Sequence, residues 1–506
     1  MKKILIIDSG SVLKNYDFAE FPFVIYKQRL TEEERNHASN LVAVLVDKQA
    51  GRDYDWARDQ GIRPLLIFGR DTTRYSPVAT DAGVFYIPHE QLARQSLSFL
   101  RGYKETGSPR PDYFAESPPL LDPIEAPSEQ SGPLVTLQTL RVQGVKSSRD
   151  SGVIKLPNPC VLVGRNGSGK STLIETLQWL QQATRDGVDQ AIRSKFHRFS
   201  NLCTKGCTKM SVSLELTVGE DQCPLQYQLV LGSQDQERPT IVDEHCNFGG
   251  QDEIATQAGV RVILDGRTEY PDQDRLALAL APGPGAKALR FFLQTAVFLR
   301  LSPRTIAEFA PLKRTVGAPA LDEEGHQLPA LLAELSTTER AALVQQMQDA
   351  LTTGVEDINL ERSEADQTGI LIVEQAAGGA GEAHKLPAWV LSEGTRRIAA
   401  LFSLLSEHPP PSLIAIEEIE NGLDPWTLDF VLDAIRRAVD MGASVILTTH
   451  SPFFLDKFDP ESILHASFQA GTSRYRPITE YADVVRYEAE LQPGVMYISD
   501  YFRTLR

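Results

Sequence analysis

The stretch Gly164-Arg165-Asn166-Gly167-Ser168-Gly169-Lys170-Ser171-Thr172 constrains this chain more than any other. An apolar run, Cys160-Val161-Leu162-Val163, precedes it, and a helical pattern, Leu173-Ile174-Glu175-Thr176-Leu177, follows. Strand, glycine-rich loop and helix in that order fit G-x-x-x-x-G-K-[ST], the loop that cradles nucleotide phosphates. Glycines let backbone N–H groups turn toward an anion, and the helix N-terminus adds the positive end of its dipole. The pattern predicts Lys170 on the β- and γ-phosphates and the Ser171 hydroxyl on Mg²⁺. Gly164, Asn166, Gly167, Ser168, Gly169 and Thr172 complete the expected cradle. A glycine-rich turn without a ligand is the bland alternative, and the strand–loop–helix frame argues against it.

The 506 residues suffice for two or three domains. No apolar run approaches the ~20 residues of a membrane span, and the apolar part of Met1–Asp8 is too short for a signal peptide. A cytoplasmic protein is expected. The five cysteines are an odd number, which argues against a disulfide framework. Cys203, Cys207, Cys223, His245 and Cys246 are conceivable zinc ligands, but there is no compact C-x-x-C pair, so free thiols are expected. A net charge of -16 argues mildly against strong intrinsic nucleic-acid binding, while leaving room for a local basic face.

Residues Glu105–Pro133 read as a linker, with seven prolines among Ser, Gly and acidic residues. The domain boundary is expected near residue 130. Before it, Ile4–Ile7, Leu41–Val46, Leu65–Phe68 and Val84–Ile87 read as short strands, with Phe23–Tyr26 a possible fifth and Gln91–Leu100 a helix. Such alternation implies a parallel sheet covered on both faces. After the boundary, Val135–Val142 and Val153–Leu156 read as strands leading into the phosphate loop. Ser211–Val218, Leu225–Leu231 and Val260–Leu264 read as an antiparallel group, and Leu328–Leu351 as one helix.

Three further motifs lie downstream. Leu391-Ser392-Glu393-Gly394-Thr395 opens a helical run and offers an anion a hydroxyl and backbone N–H groups. Leu413–Ile416 ends in Glu417-Glu418, followed by Ile419-Glu420-Asn421-Gly422-Leu423-Asp424-Pro425. Glu417 is expected to hold Mg²⁺, and Glu418 to polarise the attacking water. Ser444–Thr449 is a buried-type strand that delivers His450, placed to contact the γ-phosphate or orient water. The candidate catalytic residues are therefore Glu418, His450 and Lys170.

In this order the motifs resemble the ATP-binding-cassette (ABC) ATPase superfamily: phosphate loop, signature (Leu391–Gly394), paired acids, D-loop (Asn421–Asp424) and switch histidine (His450). Their wording resembles the branch containing RecF, the SMC proteins and the OLD-family ATPases. Two departures are Glu417 in place of the usual Asp and Asp424 where many relatives carry His. The Q-loop has no clear place; Gln294 is the weak candidate. Arg396 and Arg397 are either phosphate contacts across a dimer or solvated helix charges. The resemblance implies a head-to-tail homodimer or higher oligomer, with ATP between the phosphate loop of one subunit and Ser392, Gly394 and Asp424 of the other.

The N-terminal unit resembles a response-regulator receiver. Asp8 and Asp47 end strands where receivers carry acids, and Thr72 and Thr73 follow the next strand; Ser9 and the missing lysine before Pro88 depart from that pattern. The expected fold class is thus α/β. It comprises a receiver-like (flavodoxin-like) parallel-sheet domain over 1–104, a linker over 105–133, and an ABC-type P-loop ATPase domain over 134–506. An antiparallel β lobe and a helical insertion are expected over about 185–390.

Lys170 and Ser392 stand about 220 residues apart, more than a compact transporter cassette needs, and the gap lacks heptads for SMC-type arms. Only about 35 residues follow Gly471, too few for the Toprim nuclease of OLD proteins. Family analogy then favours a regulatory ATPase that controls a separate effector, a nuclease or toxin, in anti-phage defence. The alternative is a RecF-like repair ATPase that binds DNA directly.

Overall fold

The structure is a computed structural model. It describes residues 3–7, 24–27, 41–47, 65–69 and 84–88, and residues 133–502 apart from 234–237, 258–259, 265–267, 271–273, 315–318, 353, 364–367, 376–383 and 489. The chain divides into two compact units, Met1–Glu125 and Ala126–Arg506.

In the first unit, β1 (Lys3–Ile7), β2 (Val24–Lys27), β3 (Leu41–Asp47), β4 (Leu65–Gly69) and β5 (Val84–Pro88) form one sheet. All pairings are parallel and the order is β2-β1-β3-β4-β5. Asp47 is the last residue of β3, the middle strand. Asp8, Ser9, Thr72, Thr73, the expected helix Gln91–Leu100 and the linker up to residue 132 lie outside the described residues.

The second unit is built in layers around a parallel sheet. An antiparallel sheet forms one outer layer: β6 (Val135–Val145), β7 (Ser148–Asp150), β8 (Ile154–Lys155), β10 (Lys209–Val218), β11 (Cys223–Gly232), β12 (Thr240–Phe248), β13 (Gln251–Gln257), β14 (Val260–Ile263) and β15 (Thr268–Tyr270). The alternation in β6, β10, β11 and β14 announces these strands. β12 is hidden from pattern reading because one of its inward positions is an acid, Glu244. That carboxylate is fully buried and accepts hydrogen bonds from Arg261 Nη1 at 2.9 Å, Tyr227 OH at 3.2 Å and the amides of Ala277 and Leu278 at 2.8 Å. A buried charge is tolerable only when it is paired and hydrogen-bonded in this way.

The central sheet contains β9 (Cys160–Val163), β16 (Val297–Leu299), β21 (Leu413–Ile416), β22 (Ser444–Thr448), β23 (Ile463–Gln469) and β24 (Thr472–Pro477), in the order β16-β21-β22-β9-β23-β24. Its strands are parallel except for the β23–β24 hairpin. Side chains alternate across a strand, and here both faces are buried. Cys160, Leu162, Leu413, Ala415 and Ile446 enter the core beneath the antiparallel sheet, with α1 (Lys170–Asp186) and α2 (Pro284–Thr295). Val161, Val163, Ile414, Ile416, Val445 and Leu447 enter a second core.

The second core packs α3 (Leu328–Glu334), α4 (Thr337–Ala350), α5 (Glu393–Leu405) and α6 (Pro425–Asp440) beside a small antiparallel sheet of β17 (Ala310–Pro311), β18 (Val355–Ser363), β19 (Thr368–Gln375) and β20 (His384–Pro387). The single helix expected over Leu328–Leu351 is two. Ser336 Oγ accepts from the Glu339 amide at 3.2 Å while the Glu339 carboxylate accepts from the Ser336 amide at 2.7 Å. This capping box starts a new helix inside an otherwise continuous apolar pattern. Among the described residues no helix is long and apolar enough to cross a membrane.

Candidate nucleotide-binding site

The sheet order builds the site. β22 lies between β9 and β21, so the loop after β9, the acids after β21 and the histidine after β22 emerge at the same carboxyl edge. That is where open α/β sheets place their ligands. A cleft of about 390 Å³ is lined there by Asn166, Gly167, Gly169, Lys170, Ser171, Thr172, Glu417, Glu418 and His450. Residues 246 positions apart meet directly: Ser171 Oγ donates to Glu417 Oε2 at 2.6 Å. Glu417 is fixed in turn by its amide, which donates to Leu299 O at 2.8 Å.

Glu418 sits in the left-handed region, at φ 50°. That conformation is costly for a residue with a Cβ and clusters at functional sites. The Glu418 amide donates to Thr448 Oγ1 at 2.9 Å, which holds the turn, and Asn421 Nδ2 donates to Glu418 Oε2 at 2.6 Å. The backbone of His450 is held by Glu420 Oε1 at 2.6 Å. Three glutamates thus surround one face of the loop, and each raises the proton affinity of Lys170, whose pKa is nonetheless lowered, chiefly by burial. The Lys170 ammonium folds back on its own loop and donates to Gly164 O at 2.7 Å.

These groups fit a magnesium nucleotide. Gly167 has φ +77°, and a Cβ added there would meet nothing within 4 Å, so the loop backbone at that point is open to close approach. The first N–H groups of α1 have no intrahelical acceptor and suit phosphate oxygens. One hydroxyl and one carboxylate, Ser171 and Glu417, are a reasonable protein share for Mg²⁺, which keeps several waters.

Other expected residues lie elsewhere. Gly164 is buried under the loop and Ser168 points inward. Ser392, Gly394 and Asp424 do not line the cleft. Ser392 caps α5, accepting from the Thr395 amide at 3.1 Å. Gly394 packs against the D-loop, where a Cβ would stand 2.7 Å from Gly422 O. Asp424 caps α6, accepting from the amides of Trp426 and Thr427 at 3.0 Å. Gln294 is on α2, outside the cleft lining. Arg396 donates to Pro303 O at 2.7 Å, while Arg397 Nε is buried without a partner.

Sequence reasoning missed Lys146, Ser147, Glu175 and Thr448, which also line the cleft. Lys146 occupies the tight β6–β7 turn at φ 47°, its amide donating to Leu202 O at 2.7 Å and its ammonium paired with Glu175. No local pattern marks such a residue. Thr448 was within reach, as the strand-end hydroxyl beside the histidine. His245 and Cys246 are adjacent on β12, Cys246 fully buried and His245 paired at 3.0 Å with Asp252. Successive strand residues face opposite ways, so the two do not converge on a metal; all five cysteines are free.

Fold and site define a P-loop ATPase domain. A family described as "AAA domain, putative AbiEii toxin, Type IV TA system" matches residues 160–456, more than half of the chain, and the chain belongs to it. No curated protein matches. Among solved structures, the chain is similar to an SmcHead bound to the C-winged helix domain of ScpA (16% identity, 67% of this chain and 97% of that one, TM-score 0.43). Others are an Smc head with an extended coiled coil bound to the C-terminal domain of ScpA, derived from Pyrococcus furiosus (12%, 70% and 100%, 0.43), and the SMC head domain from Thermotoga maritima (14%, 68% and 98%, 0.39).

Proposed function

We propose that this chain binds and hydrolyses ATP with Mg²⁺ and that ATP-dependent dimerisation makes it a regulatory scaffold for a separately encoded effector in anti-phage defence. The observation that carries the ATPase reading is the Ser171–Glu417 hydrogen bond, made in a cleft also lined by Lys170, Glu418 and His450. Lys170 and the loop amides bind the phosphates, and Ser171 with Glu417 holds Mg²⁺, which supplies neutralising charge. Glu418 accepts the proton of the attacking water at its carboxylate, and His450 orients that water or contacts the γ-phosphate.

Dimerisation is supported by what the cleft lacks. Ser392, Gly394 and Asp424 stand at exposed or half-exposed helix starts outside it. In this reading they complete the cleft of a second subunit, as in the RecF, SMC and OLD branch whose motifs the sequence resembles. The N-terminal unit, over 1–104, is read as a receiver-like partner module, joined through the 105–133 linker to the ATPase domain of 134–506. Its five parallel strands in the order β2-β1-β3-β4-β5 support this, because that is the flavodoxin-like order.

Glu418→Gln keeps the shape of the side chain and removes the proton acceptor. It should cut ATP turnover about 100-fold or more and trap an ATP-dependent dimer in light scattering. Turnover at the wild-type rate would sink the catalytic assignment. Copurification of a stoichiometric protein partner from cells tests the scaffold role; ATP-stimulated, salt-sensitive binding of duplex DNA without such a partner would point to a repair ATPase instead.

A further inference from the structure

The β23–β24 hairpin holds the phosphate loop at both ends. At the first end, Gly164 (φ +145°) lies so close to β23 that a Cβ would stand 2.1 Å from Ala466 O. At the second, Gly169 (φ +107°) faces β24, where a Cβ would stand 2.3 Å from Ser473 Oγ and 2.8 Å from Tyr475 OH. Ser473 and Tyr475 are two apart on one strand and so share a face. Tyr475 OH donates to Gly169 O at 2.8 Å. Ser473 Oγ donates to Ser147 Oγ at 2.7 Å, and Ser147 Oγ shares a hydrogen bond with Thr172 Oγ1 at 3.0 Å. One side of β24 therefore ties together the turn that lines the cleft, the last glycine of the loop and the first turn of α1.

Peptide geometry gives this contact a consequence. In a trans peptide the C=O and the following N–H point in opposite directions within one plane. Gly169 O is directed into the protein by Tyr475 OH and by the Thr172 amide, which donates to it at 3.0 Å. The N–H of Lys170, in the same peptide, must then point the other way, toward the cleft. Glycine has no side chain to hold this plane, so the restraint comes from the groups that bond its carbonyl.

Building on the ATP reading above, we infer that Tyr475 and Ser473 are positioning residues for nucleotide: the Tyr475 hydroxyl holds the Gly169 carbonyl and the Ser473 hydroxyl, packed against Gly169, braces the first turn of α1 through Ser147 and Thr172, so that the Lys170 N–H is aimed at phosphate before ATP arrives. An amide aimed in advance contributes to ground-state binding and transition-state binding alike, so its loss belongs in KM and not in kcat.

The test compares the full-length wild type with Tyr475→Phe, Ser473→Ala and Tyr227→Phe, using fluorescence anisotropy of mant-ATP with Mg²⁺ and steady-state ATPase kinetics. Tyr227 also loses a buried hydroxyl, the donor to Glu244, but in the antiparallel lobe. Tyr475→Phe should weaken mant-ATP binding and raise KM about tenfold, the size of one lost hydrogen bond, with kcat within about twofold. Ser473→Ala should move the same two quantities in the same direction, and it carries the test if Tyr475→Phe does not fold. Tyr227→Phe should lower thermal stability and leave mant-ATP affinity unchanged. Wild-type affinity in both β24 variants overturns the inference, as does an equal loss in Tyr227→Phe. A wild type that binds no mant-ATP overturns the ATP reading itself, and this inference with it.

Discussion

At the scale of single residues, positions with no freedom are the most telling. Gly169 combines φ +107° with a would-be Cβ contact of 2.3 Å, so Gly169→Ala carries both backbone strain and a clash. It should lower stability by about 1–3 kcal/mol, and mant-ATP binding should fall below detection. A variant with wild-type melting and affinity would show that the loop tolerates another path. Glu244 is the counterpart in the antiparallel lobe. Glu244→Ala removes the carboxylate that Arg261 and two buried backbone amides share as acceptor, and should cost about 3–5 kcal/mol in denaturant unfolding. The two residues also differ in legibility. The loop could be read in sequence because phosphate chemistry demands contiguous residues at fixed spacing. Glu244, like Lys146 and Glu175 in the cleft, acquires its role through partners that only folding brings near.

Among the elements, helix starts and the β23–β24 hairpin carry the predictions. Asp424 was expected at the nucleotide, yet within the chain its carboxylate caps α6, accepting from Thr427 Oγ1 at 2.7 Å as well as from two amides. Asp424→Ala should therefore cost about 1 kcal/mol of stability, measurable in the monomer without nucleotide; no change would leave its role to the dimer alone. His465 on β23 is packed against Tyr481 and Phe502, with Nδ1 2.9 Å from Tyr481 OH. Burial, opposed by Asp500 and aided by Lys170, pushes its pKa down to about 4 from 6.5. Because the folded state disfavours the charged ring, its contribution is intact above pH ~6.5 and is lost as pH falls toward ~4. Melting temperature should drop across that window, and His465→Gln should flatten the slope. Element prediction from sequence succeeded where periodicity was unbroken, as in β10 and β11. It failed at Ser336, where a cap interrupts an apolar pattern, and at β12, where an inward position is charged.

For the whole molecule, the division into two units predicts two calorimetric transitions rather than one. A ligand stabilises only the unit that binds it, by RT ln(1 + [L]/Kd), or about 2.7 kcal/mol at a hundredfold excess over Kd. Mg²⁺ and ATP should move the transition of Ala126–Arg506 and leave that of Met1–Glu125 in place. Movement of both would mean that the units unfold as one.

The position of β9 in the central sheet has a consequence for how the protein is made. Its lateral neighbours, β22 and β23, are Ser444–Thr448 and Ile463–Gln469, and Glu417 is also encoded late. A growing chain therefore releases its complete phosphate-loop motif long before the strands that flank it exist. At a synthesis rate of ~5–20 residues per second, that interval lasts tens of seconds. Throughout it, the nascent chain displays a full nucleotide-binding motif with neither flanking strand in place, so the ability to take up ATP waits until β22 and β23 have been made.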